Sequence, residues 1–113
     1  MIKNLTRKRK LEVNVKICTD IFSQSIGLMF SKKKNNALIF KFNAEKIIPL
    51  HMFFVFRPID ILFLDKRKTV VELKKNFKPF TFYTPKKKAM YVLEMPAGTI
   101  NKSKTKLGDI LNF

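Results

Sequence analysis

The stretch "PIDILFLD", Pro58 to Asp65, constrains this chain more than any other segment. Successive side chains of a β-strand point to opposite faces. Alternation puts Asp60, Leu62 and Leu64 on one face and Ile59, Ile61 and Phe63 on the other. Both faces are apolar, so exposure is the poorest escape for the aspartate. An unpaired carboxylate in a dry strand costs several kcal/mol. Asp60 is therefore expected to have a partner or to face a wet cavity.

The rest of the chain reads as short strands between turns. In "LEVNVKI", Val13, Val15 and Ile17 alternate with Asn14 and Lys16, as a half-buried strand requires. "CTDIFSQSIGLMF" changes period: Thr19 or Asp20 can cap a helix, Ile21, Phe22, Ser25 and Ile26 recur at helical spacing, and Gly27 can stop it. "ALIFKF" is a buried strand and "NAEKIIP" a connection. His51–Phe56 and Ile59–Leu64 read as two strands, with Arg57-Pro58 between them. "DKRK" is a turn opened by Asp65. "TVVELKK" and "AMYVLEM" are strands, "NFKPFTFYTPKKK" is extended edge or loop, "PAGTINKSKTK" is loop or short helix, and "LGDILNF" turns into a last strand. The expected fold is mostly β (α+β). It is a compact single domain, barrel-like or sandwich-like, closed or nearly closed to hide its edges, with one or two short helices. Residues 1–10 are expected to be a basic N-terminal arm or frayed first strand, and residues 11–113 a single β-rich domain.

Composition narrows the function. With 24 Lys+Arg against 8 Asp+Glu, the formal net charge is +16. Such a chain attracts polyanions. Most of its cations are lysines, point charges poorly suited to reading bases, so the expectation is non-specific phosphate affinity. A compositional bias on a solvated surface explains the same charge equally well. Cys18 is the single cysteine, so no intrachain disulfide can form, which fits a reducing compartment. The basic N-terminus has no apolar h-region and no apolar run reaches membrane-span length, so a cytoplasmic protein without a membrane partner is expected. The three glycines cannot build a phosphate-cradling loop. One cysteine and one histidine cannot build the usual structural zinc site, so no metal and no cofactor are implied.

Two candidate sites remain. The first is a polar pocket of Asp60, Glu94 and His51. Glu94 shares a face with Val92, opposite Tyr91, Leu93 and Met95. Two carboxylates together could hold a cation, an amine or a sugar hydroxyl, or do acid–base work. The competing reading, which is favoured, has each acid satisfied structurally by backbone N–H groups or a lysine. If Arg57-Pro58 is a two-residue hairpin, His51 stands opposite Leu64, about 13 Å along the strand from Asp60. A bulge or a change of sheet at Pro58 leaves that distance open. The second candidate is anion binding by Arg7, Lys8, Arg9 and Lys10 and by Lys86, Lys87 and Lys88. The latter follow Phe80, Phe82 and Tyr83, and basic residues beside aromatics are how single strands are held. A solvated loop beside core aromatics is the plainer alternative.

The segments "IGLMF", "PIDILFLD", "VVEL", "YVLEMPAGTI" and "GDIL", in this order, resemble the domain of unknown function 192 family, in the form of its archaeal branch. The resemblance spans about Ile17 to Leu111. It implies a small β-rich domain with one or two short helices, and no activity. The family's recurrent positions fall on Gly27, Leu28, Met29, Met52, Asp60, Glu94, Gly98, Gly108 and Asp109. Many bacterial members carry Trp-Met and Asn-Thr where this chain has His51-Met52 and about Val55-Phe56, so a pocket lined by that Asn-Thr pair would be altered or absent. Many relatives carry signal peptides, which are not expected here. The leading functional expectation is a non-catalytic cytoplasmic binding domain for an unknown, small polar ligand. The alternative is a basic nucleic-acid or ribonucleoprotein-associated module using the lysine clusters. A hydrolase built on Asp60 and Glu94 ranks third.

Overall fold

Segments apolar at both parities need cover on both sides, and the fold supplies it. The computed structural model describes residues 2–11, 14–18, 36–51, 58–78 and 81–113, and of residues 14–18, 36 and 51 the backbone alone. In chain order these form β1 (Ile2–Asn4), β2 (Arg9–Leu11), β3 (Asn14–Cys18), β4 (Asn36–Lys46), β5 (Leu50–His51), β6 (Ile59–Leu64), β7 (Val70–Phe77), β8 (Phe82–Tyr83), β9 (Ala89–Pro96), helix α1 (Thr99–Ser103) and β10 (Leu111–Asn112). The expected helix at Thr19–Gly27 lies outside the described residues.

The strands form a five-stranded sheet in the order β3-β4-β9-β6-β7, a three-stranded sheet β10-β1-β2 and a two-stranded sheet β5-β8. Only β3 and β4 pair in parallel among the described strands. A parallel pair needs a crossover of a dozen or more residues, and residues 19–35 provide the chain for it.

Both faces of the large sheet are buried. On one face Leu38, Phe40, Ile59, Ile61, Phe63, Phe77 and Val92 pack with Ile48, Ala89, Leu50 and Tyr83. On the other, Ile39, Leu62, Leu64, Leu93 and Met95 pack under Ile2, Leu11, Leu111 and Ile100 from the small sheet and α1. Every residue of β6 is therefore buried, Asp60 included. Each fully buried large apolar side chain contributes about 1.5–3 kcal/mol, so the alternating residues of β6 anchor two cores at once.

The large sheet does not close into a barrel: β3 and β7 are its edges and do not pair with each other among the described residues. The start of β7 is occupied instead by the segment leading into β10, through Val70 N–H to Asp109 O (2.8 Å), Gly108 N–H to Val70 O (2.8 Å) and Leu111 N–H to Lys68 O (3.0 Å). Of the two readings of residues 1–10, an arm or a first strand, the described residues form strands: β1 is the middle strand of its sheet, and Ile2 and Asn4 are fully buried. The strand read at His51–Phe56 lies outside the described residues except for the backbone of His51, which pairs with Phe82 in β5–β8, and both edges of β6 are taken by β7 and β9.

The turn read at Asp65 is present. Asp65 Oδ1 accepts the N–H groups of Arg67 (2.9 Å) and Thr69 (3.0 Å), and Asp65 O accepts Lys68 N–H (3.0 Å). An aspartate in this position closes its own turn, which fixes the β6–β7 register.

Candidate functional site

Asp60 is 2% exposed and fully engaged. Between Ile59↔Phe77 and Ile61↔Lys74, the single residue Asp60 faces Lys75 and Asn76 of β7, a β-bulge. The bulge frees Asn76 N–H, which donates to Asp60 Oδ1 at 3.0 Å. Asp60 Oδ2 accepts Gly98 N–H at 3.1 Å and Ile100 N–H at 2.9 Å. Gly98 caps α1 with φ 94° and no side chain, so the capping oxygen comes from a different strand. Asp60 thus ties β6, the β7 bulge and the start of α1 together.

A second buried acid does the same for the chain ends. Asp109 Oδ2 accepts Asn4 Nδ2 (3.0 Å), Arg7 Nε (3.1 Å) and Lys106 N–H (2.9 Å). Asn4 also donates to Thr105 Oγ1 at 3.1 Å, and Thr105 shares a hydrogen bond with Ser103 Oγ at 2.7 Å. Burial pushes the Asp109 carboxyl up, but hydrogen bonds from Asn4, Lys106 and Arg7, with the Arg7 charge, hold it below its ordinary value. A depressed acid adds stability above its unfolded pKa that is lost as pH falls through the folded one. Asp109→Ala is expected to lose about 2–4 kcal/mol in urea unfolding at neutral pH, by stranding buried donors. The gap between parent and variant should narrow as the solution is acidified.

Glu94 differs from both. It lies opposite Leu38 of β4 and Ile61 of β6, on the face of Val92. Asp60 lies opposite Met95, on the other face. The expected gathering of Asp60 and Glu94 in one pocket is therefore wrong: the sheet separates them, and no two-carboxylate chemistry can join them. Glu94 is half-buried and makes no hydrogen bond or ion pair among the described residues. Loss of water on burial raises its carboxyl from the ordinary 4.5 to about 7. In its row across the sheet, the nearest basic positions are Lys74 and Lys16, each two strands away, roughly 10 Å. Lys74 Nζ sits instead over the Tyr83 ring, 5.6 Å from its centroid.

His51 has a described backbone alone, paired with Phe82, so its side chain falls outside the described residues. Of the basic candidates, Arg7 is half spent on Asp109 while Lys8, Arg9 and Lys10 are exposed around the β1–β2 hairpin. Lys86, Lys87 and Lys88 are exposed between β8 and β9. Their loop hangs on Glu72, whose Oε1 accepts the N–H groups of Lys86 (2.8 Å) and Lys87 (3.0 Å) and whose Oε2 accepts the Tyr83 hydroxyl. That hydrogen bond, then burial, then the Glu72 charge push the Tyr83 hydroxyl up to about 12. Sequence reasoning missed Glu72, which alternation presents as an ordinary outward residue of "VVEL", and Asn4, hidden in a basic run.

The family model described as "Uncharacterized ACR", domain of unknown function 192, matches residues 3–113. The UPF0127 protein of Thermococcus sibiricus is 36% identical over 115 residues, covering 100% of this chain and 74% of that protein. The UPF0127 protein of Pyrococcus horikoshii is also 36% identical over 115 residues, covering 100% of this chain and 98% of that one. A crystal structure from Sinorhizobium meliloti, described as a proposed transcription regulator, superposes with a TM-score of 0.86 at 23% identity, over 98% of this chain and 88% of that one. At that identity the likeness shows the fold alone.

Proposed function

The chain belongs to the domain of unknown function 192 family, and from that premise we propose that it is a non-catalytic, cytoplasmic binding domain whose ligand contact is Glu94. One observation carries the reading. Of the acids embedded in the large sheet, Asp60 has its hydrogen bonds filled by the fold, whereas Glu94 has none among the described residues. A half-buried carboxyl that makes no hydrogen bond among the described residues keeps its oxygens open to solvent, and a ligand that supplies a donor can take the place of water there. The ligand class is small and polar, carrying an ammonium or a hydroxyl that donates to the carboxyl. The cytoplasmic placement rests on the single cysteine, and no described helix is long and apolar enough to cross a membrane.

The test is a thermal-shift panel of primary amines and neutral sugars at mildly alkaline pH, run on the parent and on Glu94→Gln. A compound that raises the melting temperature of the parent and not of the variant supports the reading. An empty panel at millimolar concentrations, or hits that Glu94→Gln keeps in full, rejects it.

A further inference from the structure

The geometry points to a binding surface for single-stranded nucleic acid at one end of the five-stranded sheet, formed by Lys46, Lys66, Arg67, Lys86, Lys87 and Lys88 with Phe82 as a stacking platform. Three stretches distant in sequence meet there. β4 ends at Lys46, which pairs with Ala89, the residue following Lys88. β6 and β9 run antiparallel with Leu64 opposite Tyr91, so the β6–β7 turn carrying Lys66 and Arg67 lies beside the start of β9. Lys66 N–H donates to Glu45 Oε2 at 2.9 Å, which ties that turn to the end of β4. All six cations are exposed.

The three acids at this end, Asp65, Glu45 and Glu72, offset only part of the six positive charges. Asp65, Glu45 and Glu72 accept backbone N–H groups of the turns. They hold the loops in place and leave the side-chain charges unpaired: none of the six makes an ion pair among the described residues. Fixed loops thus present a cluster of like charges on a molecule already at +16. Such a cluster repels itself, and a polyphosphate backbone relieves the repulsion by releasing its counterions. Five of the six are lysines, which suit phosphates and not base edges. Phe82 is 71% exposed and stands just before the lysine loop, where an unstacked base can lie on its ring. An exposed ring beside phosphate-seeking charges favours a single strand over a duplex, whose bases are already stacked.

The experiment is fluorescence anisotropy of a fluorescein-labelled oligothymidylate, titrated with the full chain at several salt concentrations. The parent should bind at low salt. The triple variant Lys66→Ala, Arg67→Ala, Lys87→Ala should bind about tenfold or more weaker, and its slope of log affinity against log salt should be shallower by roughly 2, at about 0.7 per phosphate contact. Phe82→Ala should weaken binding about fivefold or more with an unchanged slope. The charge-matched control Lys3→Ala, Lys8→Ala, Lys10→Ala, on the other sheet, should change affinity about twofold or less. Failure of the parent to bind at low salt overturns the proposal. So does an equal loss in the control triple, which would mean diffuse charge. Full competition by phosphatidylserine vesicles together with an inert Phe82→Ala would also overturn it.

Discussion

Asp60→Ala should lose about 3–5 kcal/mol of folding stability, measured by urea unfolding, because it strands the N–H groups of Asn76, Gly98 and Ile100 in one step. Each unsatisfied buried donor costs about 1–3 kcal/mol, and water recovers part of the loss where the bulge is only partly buried. A small domain has about 5–15 kcal/mol in total, so the variant is expected to be at the edge of folding. Asp60→Asn separates the bonds. An amide has one acceptor oxygen, and turning it towards Gly98 and Ile100 keeps α1 capped while placing an NH2 group against Asn76 N–H. It should therefore cost roughly half as much as alanine, with the bulge loosened and the helix retained. Equal stability of the parent and Asp60→Ala would mean that these bonds hold nothing.

Glu94→Gln should do the opposite, with a gain that builds between about pH 4.5 and 7 and holds above it. The carboxyl titrates at about 7 in the fold, raised by burial above the ordinary 4.5. Between those values the folded state holds a proton that the unfolded state has released, so stability falls as pH rises and levels off above the folded pKa. The full shift corresponds to about 3 kcal/mol, and water reaching this partly exposed side chain reduces it, leaving about 1–3 kcal/mol. Glutamine keeps the shape without the charge. At about pH 9 the variant should be more stable than the parent by that amount, and at about pH 5 the two should agree within roughly 0.5 kcal/mol. A stability difference independent of pH would show that Glu94 carries no strained charge.

How much of this could be read from residues differs from place to place. The parity of β6 and β9 was legible, because side chains alternate strictly. The need for company at Asp60 followed from apolar residues on both faces. Its partners did not, since they are backbone N–H groups 16 to 40 residues away, and an N–H carries no residue signature. The relation of Asp60 to Glu94 was illegible for a related reason. Parity within one strand says nothing about which of its faces meets which face of its neighbour, and the register Asp60↔Met95 settles that. β4 runs on to Lys46 through exposed residues that read as a connection. β1 is only three residues long, and its inward Ile2 and Asn4 are masked by the cations that follow. The basic end of the large sheet could not be seen at all, because Lys46, Lys66 and Lys86 meet only once the strands have paired.

That Glu94, and not Asp60, is the acid of the large sheet open to a ligand rests on its lacking a hydrogen bond among the described residues. It is tested most directly by a carbon-13 NMR titration of the Glu94 side-chain carboxyl in the folded protein. The expected midpoint is about 7. A midpoint near the ordinary 4.5 would mean a carboxylate already well solvated or paired, and the proposed ligand contact would fall with it.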